Sequence, residues 1–564
     1  MQVFIYKHSH ERTFLNDKSV WPLIIILLLS VAASCFPCFR NSMNILDDMP
    51  FHLARIQSIK ANLQLGNILP TIYGDSINDF GYASSLFYPD LLLYIPAILA
   101  LAGLELIRAY QIFLVLITIT TAVSMYFATN RLLSNLKISQ YYVQNPSHFF
   151  TVEQELAILA TLFYIAFPYR LINIYLRGAL GEILSFVFLP IVAWGLTEVF
   201  CVKKGNWRIL TFGMLGLLYS HVITTLMVSI CILMLIIIKF RQSWQQKYML
   251  LKSILMTAFL SAAFLLPLIE QMQSNQFYYN VKNPFGSLTE QAITICTPPH
   301  SNLLLIIYLM AMALIYYCYV WLKKKQWYPR TALLFLTTVF LCIMTTNLFP
   351  WSLVENIPLM KYIQFPWRIF LLVAYSFSML CAIVSFHFLA RKFSFWYFSL
   401  TTIAIISGFL TSNILMLIAD NYAEPITYKP PVISIGRGEY LPAKFNRASM
   451  KRPATPIPLT GELSIERYAK TGNKIDLIFS NASNELTLEF PVIYYIGYNA
   501  YLNNKRLPIS QSENGLVQLS IQAAKSGHIT IQFEHSTLKI IAYIISITTL
   551  AGMFFRRRHT STRN

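Results

Sequence analysis

The chain has 564 residues, 56% of them hydrophobic and 12% charged. A soluble domain carries about 25% charged residues, so this composition excludes a water-coated globule and asks for lipid over most of the outside. The formal net charge of +19 could suit nucleic acid, but Lys and Arg stand in short clusters between apolar runs. That is the pattern of cytoplasmic loops, so no nucleic-acid partner is expected.

A crossing needs roughly 20 mostly uncharged residues. Residues 1–20 hold Lys7, Arg12 and Lys18 and are expected in the cytoplasm. The run from about Trp21 to Phe39 reads as a first, uncleaved span, because Ala32-Ala33-Ser34-Cys35 is a poor cleavage site. Cys35 and Cys38 close it. No thioredoxin-like strand–helix pattern surrounds them, so packing at a span end is expected rather than redox chemistry.

Ala109–Leu132 returns to the cytoplasm at Arg131 and Lys137, and a stretch near Leu156–Phe167 goes out, delivering Arg170, Arg177 and Glu182 to the outer side. Ile183–Phe200 comes back to Lys203, Lys204 and Arg208. Leu210–Ile238 is long enough for a hairpin turning at Ser220-His221. Leu251–Leu268 goes out, Leu303–Leu322 comes in to Lys323-Lys324-Lys325, and Thr331–Leu348 goes out. Trp367–Leu389 comes in to Arg391 and Lys392, Phe395–Ile418 goes out, and Leu538–Phe555 comes in to Arg556-Arg557-Arg558. The expectation is an α-helical polytopic membrane protein of about twelve spans with both termini cytoplasmic.

Two outer regions are large. In the first, 40–108, the apolar stretch Phe87–Leu104 holds Pro89, Asp90 and Pro96. Counting it as a crossing would place the triple-Lys and triple-Arg clusters outside, so it reads as a re-entrant or interfacial helix. The second, 419–537, opens with Pro425, Pro430 and Pro431. It continues in strand-like runs at Leu486–Tyr495, Leu516–Ile521 and His528–Phe533, separated by Asn, Gly and Ser turns. It reads as a small extracytoplasmic β-domain, followed by the last span and a cytoplasmic tail, 556–564.

The candidate chemistry gathers on the outer level. Asp47 and Asp48 stand where a helix begins, with Pro50 suited to its first turn. Spacing i, i+4, i+7 puts Asp48, His52 and Arg55 on one face of an amphipathic interfacial helix. One Asp explains an N-cap; two, with His and Arg behind them, exceed that need. Transfer of a sugar from a phosphate leaving group needs a base for the acceptor hydroxyl and cations for the departing charge. Arg170, Arg177 and Arg368 supply the cations, each at a span end, with Glu182 and His221 on the same level. The competing reading is that such arginines are interfacial anchors. No phosphate-cradling Gly loop and no HExxH or paired-CxxC cluster occurs, which argues against an ATP-driven pump.

Several segments together resemble a known group. They are Asp47-Asp48-Met49-Pro50-Phe51-His52-Leu53-Ala54-Arg55-Ile56, Gly81-Tyr82-Ala83-Ser84-Ser85-Leu86-Phe87-Tyr88-Pro89-Asp90-Leu91, Tyr175-Leu176-Arg177-Gly178-Ala179-Leu180-Gly181-Glu182, Ser220-His221, Ile363-Gln364-Phe365-Pro366-Trp367-Arg368 and Pro491–Tyr498. The group is the YfhO-like bacterial membrane proteins, including those labelled as a "6-pyruvoyl-tetrahydropterin synthase-related" membrane domain, within the GT-C glycosyltransferase superfamily. The resemblance implies a GT-C-like helical bundle, a polyprenyl-phosphate sugar donor, and a cell-envelope glycan or lipid acceptor. Asp47 or Asp48 would be the base. His52, Arg55, Tyr82, Tyr88, Asp90, Arg170, Arg177, Glu182, His221, Gln364 and Arg368 would bind donor or acceptor. It leaves metal dependence open, with Glu182 and Asp90 as the first further ligands of a divalent metal and Asp75 and Asp79 behind them. The alternatives are a flippase for a lipid-linked glycan, which calls for inverted repeats and mid-membrane charges, and a non-catalytic envelope-assembly protein.

Overall fold

A computed structural model describes residues 20–40, 47–137, 150–203, 205–279, 286–293, 329–357, 360–386, 394–422, 438–451, 455–522 and 524–560. The expected leader, the span Leu303–Leu322 with its lysine anchor, the anchor Arg391-Lys392 and the proline-rich opening of the second outer region lie outside these residues.

The chain opens with α1 (Val20–Cys35), α2 (Met49–Gln64), the single turn α3 (Ser84–Phe87), α4 (Tyr94–Leu101) and α5 (Leu106–Asn135). At 1.5 Å per residue, the 30 residues of α5 reach about 45 Å, more than the hydrocarbon thickness. The eight residues of α4 reach about 12 Å, so it cannot cross. Next come α6 (Val152–Ile165), α7 (Pro168–Ile172), a π-turn (Asn173–Arg177) and α8 (Leu180–Cys201). Thr151 and Gln154 form a reciprocal capping box at the start of α6. Pro168, which lacks an N–H to continue the ladder, begins α7 after a bend of 41°.

Helices α9 (Trp207–Ser220) and α10 (Val222–Ile238) form the hairpin expected at Ser220-His221. Ser220 lies against Gly181 at one end of α8, while Gln242 beyond α10 donates to the Phe200 carbonyl at the other. Then follow α11 (Phe240–Gln245), α12 (Lys247–Leu260), α13 (Ala262–Ser274), the turn α14 (Leu288–Gln291), α15 (Pro329–Met344), the turn α16 (Trp351–Val354), α17 (Phe370–Ser385), α18 (Ser394–Tyr422) and, after the β-region, α19 (Thr537–Thr560).

Among the described residues, five helices are long and apolar enough to cross a membrane, or seven if each bent pair, α6–α7 and α12–α13, counts as one. Leu28, Ile112, Leu116, Ile254 and Ile406 stand exposed on such helices, which suits contact with lipid tails. The chain is mostly helical, with apolar helices that could span a membrane and a β-region near its C-terminus.

Two antiparallel sheets build that region. One has the order β1 (Ile457–Thr460), β4 (Glu485–Ile493), β8 (Leu516–Gln522), β7 (Ile509–Gln511). The other runs β2 (Ser464–Thr471), β3 (Lys474–Ser480), β9 (Gly527–Phe533), β5 (Tyr498–Leu502), β6 (Lys505–Leu507). Alternation along β3 buries Ile475, Leu477 and Phe479 against Leu488, Phe490 and Leu519 of the other sheet, so one apolar core joins the two faces. Ile72, Phe80, Tyr82 and Leu86, from the stretch between α2 and α4, join the same core. Lys470 Nζ donates to the Gly74 carbonyl at 3.1 Å and Asn473 Nδ2 to the Ile72 carbonyl at 2.7 Å. The bundle end that carries α2 to α4 is therefore covered by the β-domain.

Candidate functional site

The site is built where three chain segments meet at that end of the bundle. Gly178, in the left-handed region at φ 62°, ends the π-turn, and a Cβ there would fall 2.4 Å from the Met49 Cβ. Only glycine lets the two segments come so close. The contact is sealed by the Asp48 N–H, which donates to the Arg177 carbonyl at 2.8 Å. Asp47 and Asp48 are thus held directly over the turn that carries Arg177.

The spacing Tyr169, Asn173, Arg177 places three polar side chains along one face, aimed at Glu182 in the first turn of α8. Glu182 is 2% exposed and accepts from four sources. Arg177 Nη1 stands at 3.2 Å, Arg368 Nε at 3.1 Å, Asn173 Nδ2 at 3.2 Å, and the Tyr169 hydroxyl makes a short bond. Arg368, from the 3₁₀ turn before α17, is also held by the Ile363 carbonyl and by Gln364, whose φ of 64° turns its side chain back. A buried carboxylate with two guanidinium partners has its charge well compensated. Sequence reasoning missed Tyr169 and Asn173; their four-residue spacing before Arg177 was the available signal.

Arg177 then reaches outward. Its Nε lies 3.8 Å from Asp47 and its Nη2 3.8 Å from Asp48, whose side chains are 62% and 47% exposed. Asp48 occupies the residue before α2, yet its side chain makes no capping hydrogen bond. The N-cap explanation of this residue therefore fails. The surrounding protein raises its pKa to about 6, and the Asp47 charge acts in the same direction, against the pull of Arg177 and Arg368. A half-open carboxyl with that pKa can both hold and release a proton near neutrality.

Behind it, His52 and His221 stand on two sides of Tyr88, with ring centroids 5.7 and 6.0 Å away. Burial, with Arg55 beside it, pushes His52 well below its ordinary value. Burial, with Arg368 nearby, brings His221 down to about 3. Both are neutral rings at physiological pH. A Cβ on Gly181 would meet the Tyr88 hydroxyl and the Ser220 carbonyl, so this glycine lets Tyr88 insert between α8 and α9.

The remaining expected residues lie elsewhere. Arg55 does not sit at the charged head of a surface helix. It is 2% exposed, bonded to Asp90 from Nε at 2.9 Å and to the Pro89 carbonyl at 2.9 Å, with Tyr88 beneath its guanidinium. Asp90 can bury it because Tyr73 completes that carboxylate's shell. Helix α2 is accordingly packed on several sides, unlike the interfacial helix its spacing suggested. Arg170 turns into the bundle core, fully buried, donating to the Ile165 carbonyl and to Thr118. Tyr82 packs in the β-domain core beside Tyr440. Cys35 and Cys38 are buried free thiols, bonded to Thr118 and Tyr175 respectively.

Three of the carboxylates named as further metal ligands are already engaged. Glu182 is committed to two arginines, Asp90 to Arg55 and Tyr73, and Asp75 to the Ser58 hydroxyl at 3.0 Å. Among the described residues no three His, Cys, Asp or Glu side chains converge as ligands.

No family model matches the chain. It is similar to an uncharacterized protein of Lactococcus lactis subsp. cremoris, with 24% identity across 94% of this chain and 94% of the relative. The likeness therefore runs through both the helical bundle and the β-domain.

Proposed function

We propose that this protein is a GT-C-type glycosyltransferase, related to the YfhO-like proteins. In this reading it moves a sugar from a polyprenyl-phosphate donor to a cell-envelope glycan or lipid on the outer side of the membrane. The observation that carries the reading is Asp48: half-open, unused as a cap, with a pKa of about 6, and 3.8 Å from a guanidinium. Asp48 takes the proton of the acceptor hydroxyl as that oxygen attacks the anomeric carbon. The bond to the phosphate oxygen breaks, and the leaving phosphate keeps the electron pair. Arg177 and Arg368 receive that charge, and Glu182 positions both.

The orientation belongs to the same proposal. Arg131, Lys203, Arg208, Lys239 and Arg241 flank the opposite ends of α5, α8, α9 and α10, as the positive-inside bias asks of a cytoplasmic face. The twelve-span threading is kept with it, Leu303–Leu322 supplying the span that the described residues do not cover.

The test is complementation of a deletion strain with wild type or Asp48→Asn, followed by mass analysis of surface polymers and immunoblotting of the protein. A hexose or aminohexose should vanish in the deletion and stay missing with Asp48→Asn at unchanged abundance. An identical glycan profile in all strains defeats the proposal. Accumulation of donor on the cytoplasmic leaflet would point to translocation instead.

A further inference from the structure

A cavity of about 620 Å³ opens in the β-domain, away from the acidic cluster. Its walls come from three places: the turn between β4 and β5 (494–498), the corner between β6 and β7 (506–509), and the segment 534–536 that leads into α19. Ser536 is the residue before α19, and its hydroxyl donates to Glu270 of α13 at 2.7 Å. Gln271 of the same helix donates to the Ile496 carbonyl at 2.6 Å. The cavity therefore sits at the bundle-facing edge of the domain. Its volume lies in the range of pockets that enclose small ligands.

The lining has a particular chemistry. Glu534 Oε1 accepts from Tyr501 at 3.1 Å and Gln532 at 2.6 Å, and its Oε2 accepts from Asn499 at 2.7 Å. Arg506 Nη2 donates to Asn499 Oδ1 at 2.6 Å. The bond from Gln532 holds the Glu534 carboxyl below its usual range, helped by Tyr501, Asn499 and Arg506. The carboxylate is thus a fixed acceptor of hydroxyl protons, and it offsets the charge of the exposed Arg506. An anion would meet that carboxylate at close range; a neutral polyol would find acceptors, amide donors and the side of Tyr494. Gly497, at φ 118°, keeps this turn tight: a Cβ would stand 2.5 Å from the Phe533 ring.

The cavity is also tied to the acidic site. Tyr495 on its wall faces Phe277 at a ring distance of 6.5 Å, and Phe277 packs on Phe87 at 4.7 Å. Phe87 immediately precedes Tyr88, which stands beside His52 and His221.

We propose that this cavity binds a neutral oligosaccharide through Glu534, Asn499 and Arg506. As the place that selects an acceptor glycan it rests on the glycosyltransfer reading, whereas as a binding site it can be tested without any transfer.

The experiment uses full-length protein in lipid nanodiscs, titrated with unphosphorylated disaccharides and trisaccharides of hexose and N-acetylhexosamine, read by saturation-transfer NMR. At least one sugar should give saturable binding. Glu534→Gln and Asn499→Ala should each weaken it about tenfold or more, as expected for lost hydrogen bonds to charged or buried partners. Arg506→Ala, a change at an exposed side chain, should weaken it with an unaltered melting profile. Asp48→Asn should leave it unchanged. The proposal is overturned if no sugar in the panel binds, if binding survives all three cavity substitutions, or if inorganic phosphate binds there in place of sugar. A cavity that binds sugar beside an Asp48→Asn variant with a normal surface glycan would uphold this inference and refute only the catalytic one.

Discussion

Removing the positive charge beside Asp48 should raise its pKa, and removing the negative one should lower it. Arg177 stands 3.8 Å from the carboxylate. Two unit charges at that distance interact by about 1 kcal/mol in water-like surroundings and about 2 kcal/mol at half that dielectric constant. Asp48 is 47% exposed, so the lower figure applies once solvent screening is counted. At 1.36 kcal/mol per pKa unit this is nearly one unit, taking Asp48 in Arg177→Gln from about 6 to about 7. Asp47→Asn removes a like charge and should move it the other way, by up to about one unit. Glu182 keeps Arg368 in the first variant, so the pocket retains one of its two cations. The assay is infrared titration of the protonated carboxyl band, using Asp48→Asn to assign it, with the acid limb of any transfer activity as a second readout. A merely structural role gives no reason for opposite shifts. Equal or same-signed movements in the two variants would refute the electrostatic account.

Glu182→Gln leaves two largely buried guanidinium groups without their carboxylate and should cost about 3–5 kcal/mol, seen as early thermal unfolding in detergent, while exposed Asp47→Asn changes little. Gly178→Ala combines a strained φ with a Cβ 2.4 Å from Met49 and should cost more than about 1 kcal/mol. Cross-linking between engineered cysteines on α2 and the π-turn should slow in that variant, and an unchanged rate would speak against the close contact. His221 stays neutral down to about pH 3, whereas the unfolded chain takes up that proton near 6.5. The native state then binds fewer protons across this window, so stability falls as pH drops from about 6.5 toward 3. Melting curves of His221→Gln should show a shallower decline over the same range.

The parts of the structure that follow from local pattern were legible in the sequence. Apolar length marked α1, α5, α8 and α18, and the hairpin turn at His221 was visible because Leu210–Ile238 is long enough for a tight hairpin and carries a polar dipeptide near its middle. Alternating or apolar runs along β4, β8 and β9 announced the sheets, whereas β3 was not read. The acidic pair was also legible, since two carboxylates exceed what a helix start requires. Long-range compensation was not. Nothing local distinguishes Arg177, which meets Glu182, from Arg170, which turns into the core toward Thr118; both stand within two residues of a tyrosine. Arg55 looked like a solvated head because its partner Asp90 lies 35 residues away behind two prolines. The sugar-sized cavity was equally hidden, being assembled from three separate stretches of the β-domain.

Lys470 and Asn473 grip the backbone at Gly74 and Ile72, partners roughly four hundred residues earlier. On the ribosome, the stretch around Ile72 and Gly74 therefore waits through nearly all of translation before its covering strands exist. Contacts of such long separation form late. Cover over residues 72–74 then arrives only once the strands near residues 470–473 have been made, so fragments released early would leave that loop bare.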